Sequence, residues 1–545
     1  MTPIRWLVLQ IVLVIAIAAG AVVWASALMG SFDTYRSPFH GRNVAPGEAI
    51  GSPLTRRLVF VYVDGLRVDT AANGQVMPYL NELRAQGAIA TSHSREPSYS
   101  IPGYTTMMSG AWPEFNDGPL LNPDDAHMVT WPQDNIFRAA QRAGLKVGLA
   151  DHYGAEKLIP QEALADHFYV HDERNEDDRA ATEAAVRWLK DGSYQFIVLH
   201  LDQVDDTGHK FGPRSPKWNE AASNVDGLLR ELGGALDLTK DTLFITSDHG
   251  HIDQGGHGGH EQIVTSEPWI LTGAGVKPGK YADTQMVDIA PTIAALLGSS
   301  IPALNQGHVR TDMLDLNQAQ GTRIAEAVRK QQLDWVYAYL QATGRREVQL
   351  GATDDPVDNA QGGVERARAS QFAWEGLGRA ALVAILVLAV IAALWLVHEP
   401  VHHWHLLGAL VYLVIFHVAY AVIEGRTYSL TSVQSAADIL GASLITAVVA
   451  FAIATGFVLW RTGLRPSAVA AAASALEFAL VVLTIVAVPA LVGYAVNGAA
   501  IGWRLPNFQL MFFTFLSLLQ LTGIGIAAIM ASGIAALLGW RSAKA

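Results

Sequence analysis

The chain has 545 residues, 50% hydrophobic and only 16% charged, and it contains no cysteine, whereas an average soluble protein carries about 25% charge. Disulfides, thiolate metal sites and a cysteine nucleophile are thereby excluded, so any metal must sit on histidines and carboxylates. The net charge of −12 belongs to the middle of the chain, because residues 1–30 carry only Arg5 and residues 380–545 set four acids (Glu399, Glu424, Asp438, Glu477) against six bases; such an acidic segment does not suit binding to a nucleic-acid polymer.

Residues 6–29 are free of charge, enough for the roughly 20 needed to span a bilayer and longer than the core of a signal peptide. They predict an uncleaved anchor within residues 1–30, although Ala25-Ser26-Ala27 also reads as a cleavage site. Five further apolar blocks, at 380–397, 406–423, 439–460, 468–492 and 510–538, predict a C-terminal bundle over 380–545. Buried helices of a soluble core are a poor alternative, since five all-apolar helices leave no polar face. Arg5, Arg461, Arg465, Arg541 and Lys544 fall on one side of the resulting topology, with Arg426 and Arg504 on the other. By the positive-inside rule the segment between anchor and bundle is expected on the extracytoplasmic side of a cytoplasmic or endomembrane membrane.

That segment predicts a catalytic domain over 31–342 and a polar linker over 343–379. Short apolar runs at 58–63, 146–150, 196–201 and 243–246 alternate with helical stretches at 77–86, 134–143, 176–190 and 216–233. The pattern is that of an α/β fold, a mostly parallel sheet sandwiched by helices. Ligands of such sheets bind beyond the carboxyl ends of the strands. The residues found there are Asp64, then Asp202 to His209, then Asp248-His249. One strand-ending Asp is usually a turn residue; three, with histidines attached, point to chemistry.

The strings VFVYVDG (59–65), QVDDTGHKFGP (203–213) and FITSDHGHIDQGGHGGH (244–260) supply Asp and His donors that suit zinc and, less well, manganese or iron. Together they furnish the roughly six ligands of a paired-metal site. In this order they resemble the alkaline phosphatase superfamily, in particular its nucleotide pyrophosphatase/phosphodiesterase branch, over residues 56–312, including MVDIAPTIAALLG (286–298). The resemblance implies an alkaline phosphatase-like fold and two divalent metal ions, zinc being the expectation. One metal would take Asp64, Asp248, His249 and the nucleophile oxygen, the other Asp205, His209 and His257. It also implies a serine or threonine nucleophile ahead of an x-Pro-x pattern, which Ser100 before Ile101-Pro102-Gly103 satisfies, with Ser98 as competitor. Gly118 to Asn122 is similar to the branch's G-x-x-x-N, making Asn122 a candidate phosphate contact. The chain departs from the branch in carrying Gly103 and Tyr104 after Ile101-Pro102.

The activity so implied is phosphodiesterase or nucleotide pyrophosphatase-like hydrolysis through a covalent phosphoserine. The substrate would be a phosphodiester or phospholipid, met at the membrane lipid. The segment SHSREPSYSIPGY and the order anchor, domain, bundle also resemble membrane enzymes that transfer phosphoethanolamine to glycolipid anchors, the alternative reading. A sulfatase fits poorly, because Tyr104 stands where that signature needs Arg and Asp248 is followed by His. A membrane scaffold or transporter with an inactive outer domain is the reading from another class, and it expects missing ligands. Of the remaining histidines, His260 could line the site, while His93, His200 and His251 read as packing or surface residues.

Overall fold

The computed structural model describes residues 2–123, 128–171, 174–351, 353–397, 402–433, 435–465 and 467–542; Glu399 and Lys544 lie outside them. The chain divides into two compact units, one of Tyr35–Ser370 and one of Met1–Thr34 with Gln371–Ala545.

The Tyr35–Ser370 unit is built on strands β1 (Arg57–Val63), β2 (Ala88–His93), β3 (Val147–His152), β4 (Asp166–Val170), β5 (Phe196–Leu201), β6 (Asp241–Thr246) and β7 (Ser266–Gly273), with the two-residue strands β8 (Gly279–Lys280) and β9 (Thr284–Gln285). They form one nine-stranded sheet in the order β4-β3-β5-β1-β6-β7-β2-β8, with β9 also on β2. The first five run parallel, and β7 runs antiparallel to both β6 and β2. Successive β1 side chains enter two separate cores. Leu58, Phe60 and Tyr62 pack with the Ile136–Arg142 and Ile289–Leu297 helices, and Val59, Val61 and Val63 with the Pro78–Gln86, Asn175–Asp191 and Pro216–Gly234 helices. Burial on both faces explains why β1, β5 and β6 read as continuous apolar runs. The α/β expectation holds, but five of the nine strands were not anticipated: β2, β4, β7 and the two-residue β8 and β9. β2 and β7 pair with each other, and β4 lies at the sheet edge with a polar start.

Tyr62 lies in register with His200 on β5 and with Thr246 on β6. The carboxyl ends of these three strands therefore meet side by side; Asp64 and Asp202 follow directly, and Asp248 one residue later, after Ser247.

The other unit holds helices Pro3–Thr34, His403–Val418, Ala436–Thr462, Ala468–Asn497 and Phe508–Ser542, together with the Gln371-onward part of helix Pro356–Val397. Six helices among the described residues are long and apolar enough to cross a membrane, and the protein is an integral membrane protein. Glycines let these helices approach closely: a Cβ at Gly493 would fall 1.8 Å from the Thr514 hydroxyl, and one at Gly525 2.5 Å from Ala18. Some buried polar groups pair between helices, Tyr412 donating to Gln520 at 2.9 Å. Glu477 accepts from the Trp6 indole at 3.4 Å. Within the stretch 343–379, Pro356 opens a helix that runs on to Val397.

Candidate active site

Each strand end turns in its own way. After β1, Gly65 adopts a positive φ of 69° and donates its N–H to Asp248 Oδ1 at 3.1 Å, tying the first turn to the third. After β5, Asp178 accepts from the backbone N–H groups of Asp202 and Gln203 at 2.9 and 3.3 Å. It thereby satisfies donors at the start of helix Gln203–Phe211, which otherwise lack partners. That helix carries Asp205 and His209 one turn apart on a single face. After β6, the Ser247 hydroxyl donates to the His249 carbonyl at 2.7 Å and shapes the Asp248-His249 turn. His257 arrives on a loop whose Gly255, Gly256 and Gly258 all have positive φ, a backbone that side chains rarely tolerate.

The side chains converge. Ligand atoms of Asp64, Asp248 and His249 lie within 4.8 Å of one another, as do those of Asp205, His249 and His257. His209 Nε2 lies 3.3 Å from Asp205 Oδ2 and 3.0 Å from His257 Nε2. His249 donates from Nδ1 to the Gly250 carbonyl and His257 from Nδ1 to the Ser98 carbonyl, both at 3.2 Å. A carbonyl only accepts, so each ring keeps its Nε2 lone pair for the cluster, the form that ligates metal.

The electrostatics are those of a cation site. Burial, then the charges of Asp64 and Asp205, push the Asp248 carboxyl well above the usual range. Burial, then His249, holds His257 well below the usual imidazole range. Among the described residues, buried Asp64 Oδ1 and Asp248 Oδ2 have no hydrogen-bond partner. Carboxylates so crowded and under-satisfied cost free energy unless a positive charge joins them. The donors therefore fit a divalent ion.

Ser100 is the first residue of helix Ser100–Ser109, with Tyr99 as its N-cap. Pro102 falls in the first turn, where its missing N–H costs nothing. Ser100 Oγ lies 3.2 Å from His249 Nε2. The departure at residue 103 has a steric reason: a Cβ there would stand 3.0 Å from both the Asp248 Cβ and its carbonyl oxygen. Ser98 is 2% exposed, and its hydroxyl donates to the Gly259 carbonyl at 2.7 Å. Asn122 reaches the same helix start, its Oδ1 accepting from Ile101 N–H at 3.0 Å.

Two histidines read as packing or surface residues take part. His200 sits 2.8 Å from Asp151 Oδ1 through Nδ1 and 3.2 Å from Asp64 Oδ2 through Nε2; Tyr62 and Tyr104 complete the net by donating to Asp151 and Asp64. The available signal was a histidine in the apolar run of β5. His251 touches Asp205. His260 pairs with Glu96 at 3.4 Å, and His93 with Asp283 at 3.0 Å.

The sequence profile described as Type I phosphodiesterase / nucleotide pyrophosphatase matches residues 58–332. Similar curated proteins include GPI ethanolamine phosphate transferase 2, catalytic subunit, of Homo sapiens, 29% identical over 276 residues that make up 46% of this chain and 27% of that protein. GPI ethanolamine phosphate transferase 2 of Yarrowia lipolytica is 26% identical over 410 residues, 67% of this chain and 47% of that protein. GPI ethanolamine phosphate transferase 1 of Mus musculus is 25% identical over 353 residues, 53% and 36% of the two chains. The matched regions thus span 27% to 47% of these relatives' lengths. Among solved structures, murine ectonucleotide pyrophosphatase / phosphodiesterase 5 matches 48% of this chain and 100% of its own, at 15% identity and a TM-score of 0.40.

Proposed function

Because the chain belongs to the Type I phosphodiesterase / nucleotide pyrophosphatase family, we propose that this membrane enzyme moves a phosphoethanolamine-type headgroup from a phosphodiester lipid to a hydroxyl of a lipid or glycan acceptor. Of the two chemistries read from the sequence, the names of the relatives favour transfer over hydrolysis. The observation that carries the reading is the Ser100 hydroxyl, 3.2 Å from His249 Nε2 at the edge of the carboxylate and imidazole cluster.

A divalent pair, zinc being the ion this donor set suits, would be held by Asp64, Asp248, His249 and Ser100 and by Asp205, His209 and His257, and when bound it supplies positive charge to the attacking and leaving oxygens. Ser100 Oγ, at the positive end of its helix, attacks phosphorus. A P–O bond to serine forms as the bond to the lipid oxygen breaks and the alcohol leaves. The acceptor hydroxyl then takes the phosphoryl group and returns Ser100. Asn122, its Oδ1 already engaged by Ile101 N–H, offers its amide N–H groups to a phosphate oxygen. The catalytic unit works on the extracytoplasmic side, where the distribution of Arg5, Arg461, Arg465 and Arg541 would put it.

The test is purified full chain in vesicles of phosphatidylethanolamine labelled in its ethanolamine, with and without an acceptor glycolipid. Transfer expects label on the acceptor and little release without it. Equal release of free phosphoethanolamine in both arms would make the protein a hydrolase.

A further inference from the structure

Four imidazoles crowd around the Asp205 carboxylate, and one of them is wired in the opposite sense to two others. His249 and His257 carry their proton on Nδ1, against the carbonyls of Gly250 and Ser98. His251 has its Nδ1 3.0 Å from the backbone N–H of Gly256. That N–H only donates, so Nδ1 accepts and bears no proton. The ring's single proton therefore sits on Nε2, which lies 2.7 Å from Asp205 Oδ1. An Nε2–H has no lone pair to offer a metal. It has a hydrogen bond to offer a carboxylate.

The ring is closely packed on several sides. His251 is fully buried, with its ring at an edge-on 5.6 Å from Trp218. The Trp218 indole is itself fixed by donating to the Thr70 hydroxyl at 2.9 Å. A Cβ at Gly208 would stand 2.8 Å from His251 Nε2 and 2.8 Å from the Trp218 ring; one at Gly65 would stand 2.8 Å from Nε2 and 2.9 Å from Asp205 Oδ1. Two glycines, one beside Asp64 and one beside His209, thus make the slot that this imidazole fills.

We propose that His251 is a positioning residue of the centre and not one of its ligands: its Nε2–H grips Oδ1 of Asp205 and sets the plane in which Oδ2 faces His209. The role rests on the reading of Asp205, His209 and His257 as a metal site, but it adds a residue that the resemblance did not supply. Partners of this kind typically change metal affinity by about 10–100-fold.

Zinc alone, titrated into full chain in detergent against a competing chelator, tests it. Wild type should bind two ions; a chain that takes up no zinc overturns the metal reading and this role with it. His251→Phe fills the slot and donates nothing, so affinity for one of the two ions should fall by about 10–100-fold while the other is held. His251→Gln, whose amide N–H reaches toward the Nε2 position, should recover most of that loss. Two results overturn the proposal while leaving the metal reading intact. One is unchanged affinity for both ions in His251→Phe, which makes the residue packing only. The other is a visible spectrum of cobalt-loaded His251→Gln showing a changed coordination number, which makes it a ligand. Should His251→Phe fail to fold, His251→Gln decides: near-native affinity supports the role, and a loss of about 100-fold contradicts it.

Discussion

The Nε2 atoms of His209 and His257 face each other at 3.0 Å, and both also face Asp205, at 3.3 and 3.7 Å. The His257 proton is committed to the Ser98 carbonyl through Nδ1. Burial and the neighbouring His249 disfavour a second proton on that ring. A lone pair is therefore directed at a second imidazole and a carboxylate, an arrangement that a cation completes. Replacing His257 by Ala should lower affinity for one metal ion by more than about 100-fold, the upper range for a mere outer partner, with the fold retained. Metal analysis of the purified variant checks this, and unchanged occupancy would remove His257 from the site.

Ser100 and Ser98 are separated by Tyr99 alone, yet they have opposite surroundings. Ser100 Oγ looks to His249, and Ser98 Oγ is spent on Gly259. Ser100→Ala should cost on the order of 10³-fold or more in turnover with metal still bound. Ser98→Ala should lose only the loop bond, worth about 1 kcal/mol, and keep much of its activity. The reverse ranking would shift the register from Arg95 to Asn122.

Asp178 tests the scaffold instead of the chemistry. Burial raises its carboxyl from the usual 3.8 to about 6, against bonds from Asp202 and Gln203. A group whose folded pKa is raised contributes stability that is fully present below the unfolded value and is lost as pH rises through the folded value. Wild type should therefore gain relative to Asp178→Asn between about pH 6 and pH 4, by up to about 3 kcal/mol. Melting temperatures of both proteins across that window measure it; a constant difference would mean that burial does not raise the Asp178 carboxyl above its unfolded value.

What was legible in the sequence follows from where each signal resides. β1, β5 and β6 are buried on both faces, so their apolar runs and terminal Asp residues stand out locally. β7 is not legible in the same way, because it opens with Ser266-Glu267-Pro268, and buried Glu267 accepts from the Ser94 hydroxyl of a distant segment at 2.6 Å. The proposed ligands come in short strings with fixed spacing. His200 and His251 do not, since what each does depends on a residue tens of positions away, Asp64 or Asp205. Asn122 lies in a loop, and its tie to Ile101 N–H exists only once the Ser100 helix has formed.

Topology is open to a labelling experiment because the chain has no native cysteine. Glu347→Cys places one thiol at an exposed position between the Gln318–Thr343 and Pro356–Val397 helices. It should react with an impermeant thiol reagent on intact cells. Labelling only after lysis would put the catalytic unit on the cytoplasmic side.

The most direct measurement is the mass of the peptide holding Ser100 after wild-type enzyme is mixed with phosphatidylethanolamine and quenched in acid before acceptor is added. A phosphoethanolamine adduct should appear on Ser100, disappear when acceptor glycolipid is supplied, and be absent after metal chelation. An adduct on another residue, or turnover that proceeds with Ser100 never modified, would contradict transfer through this serine.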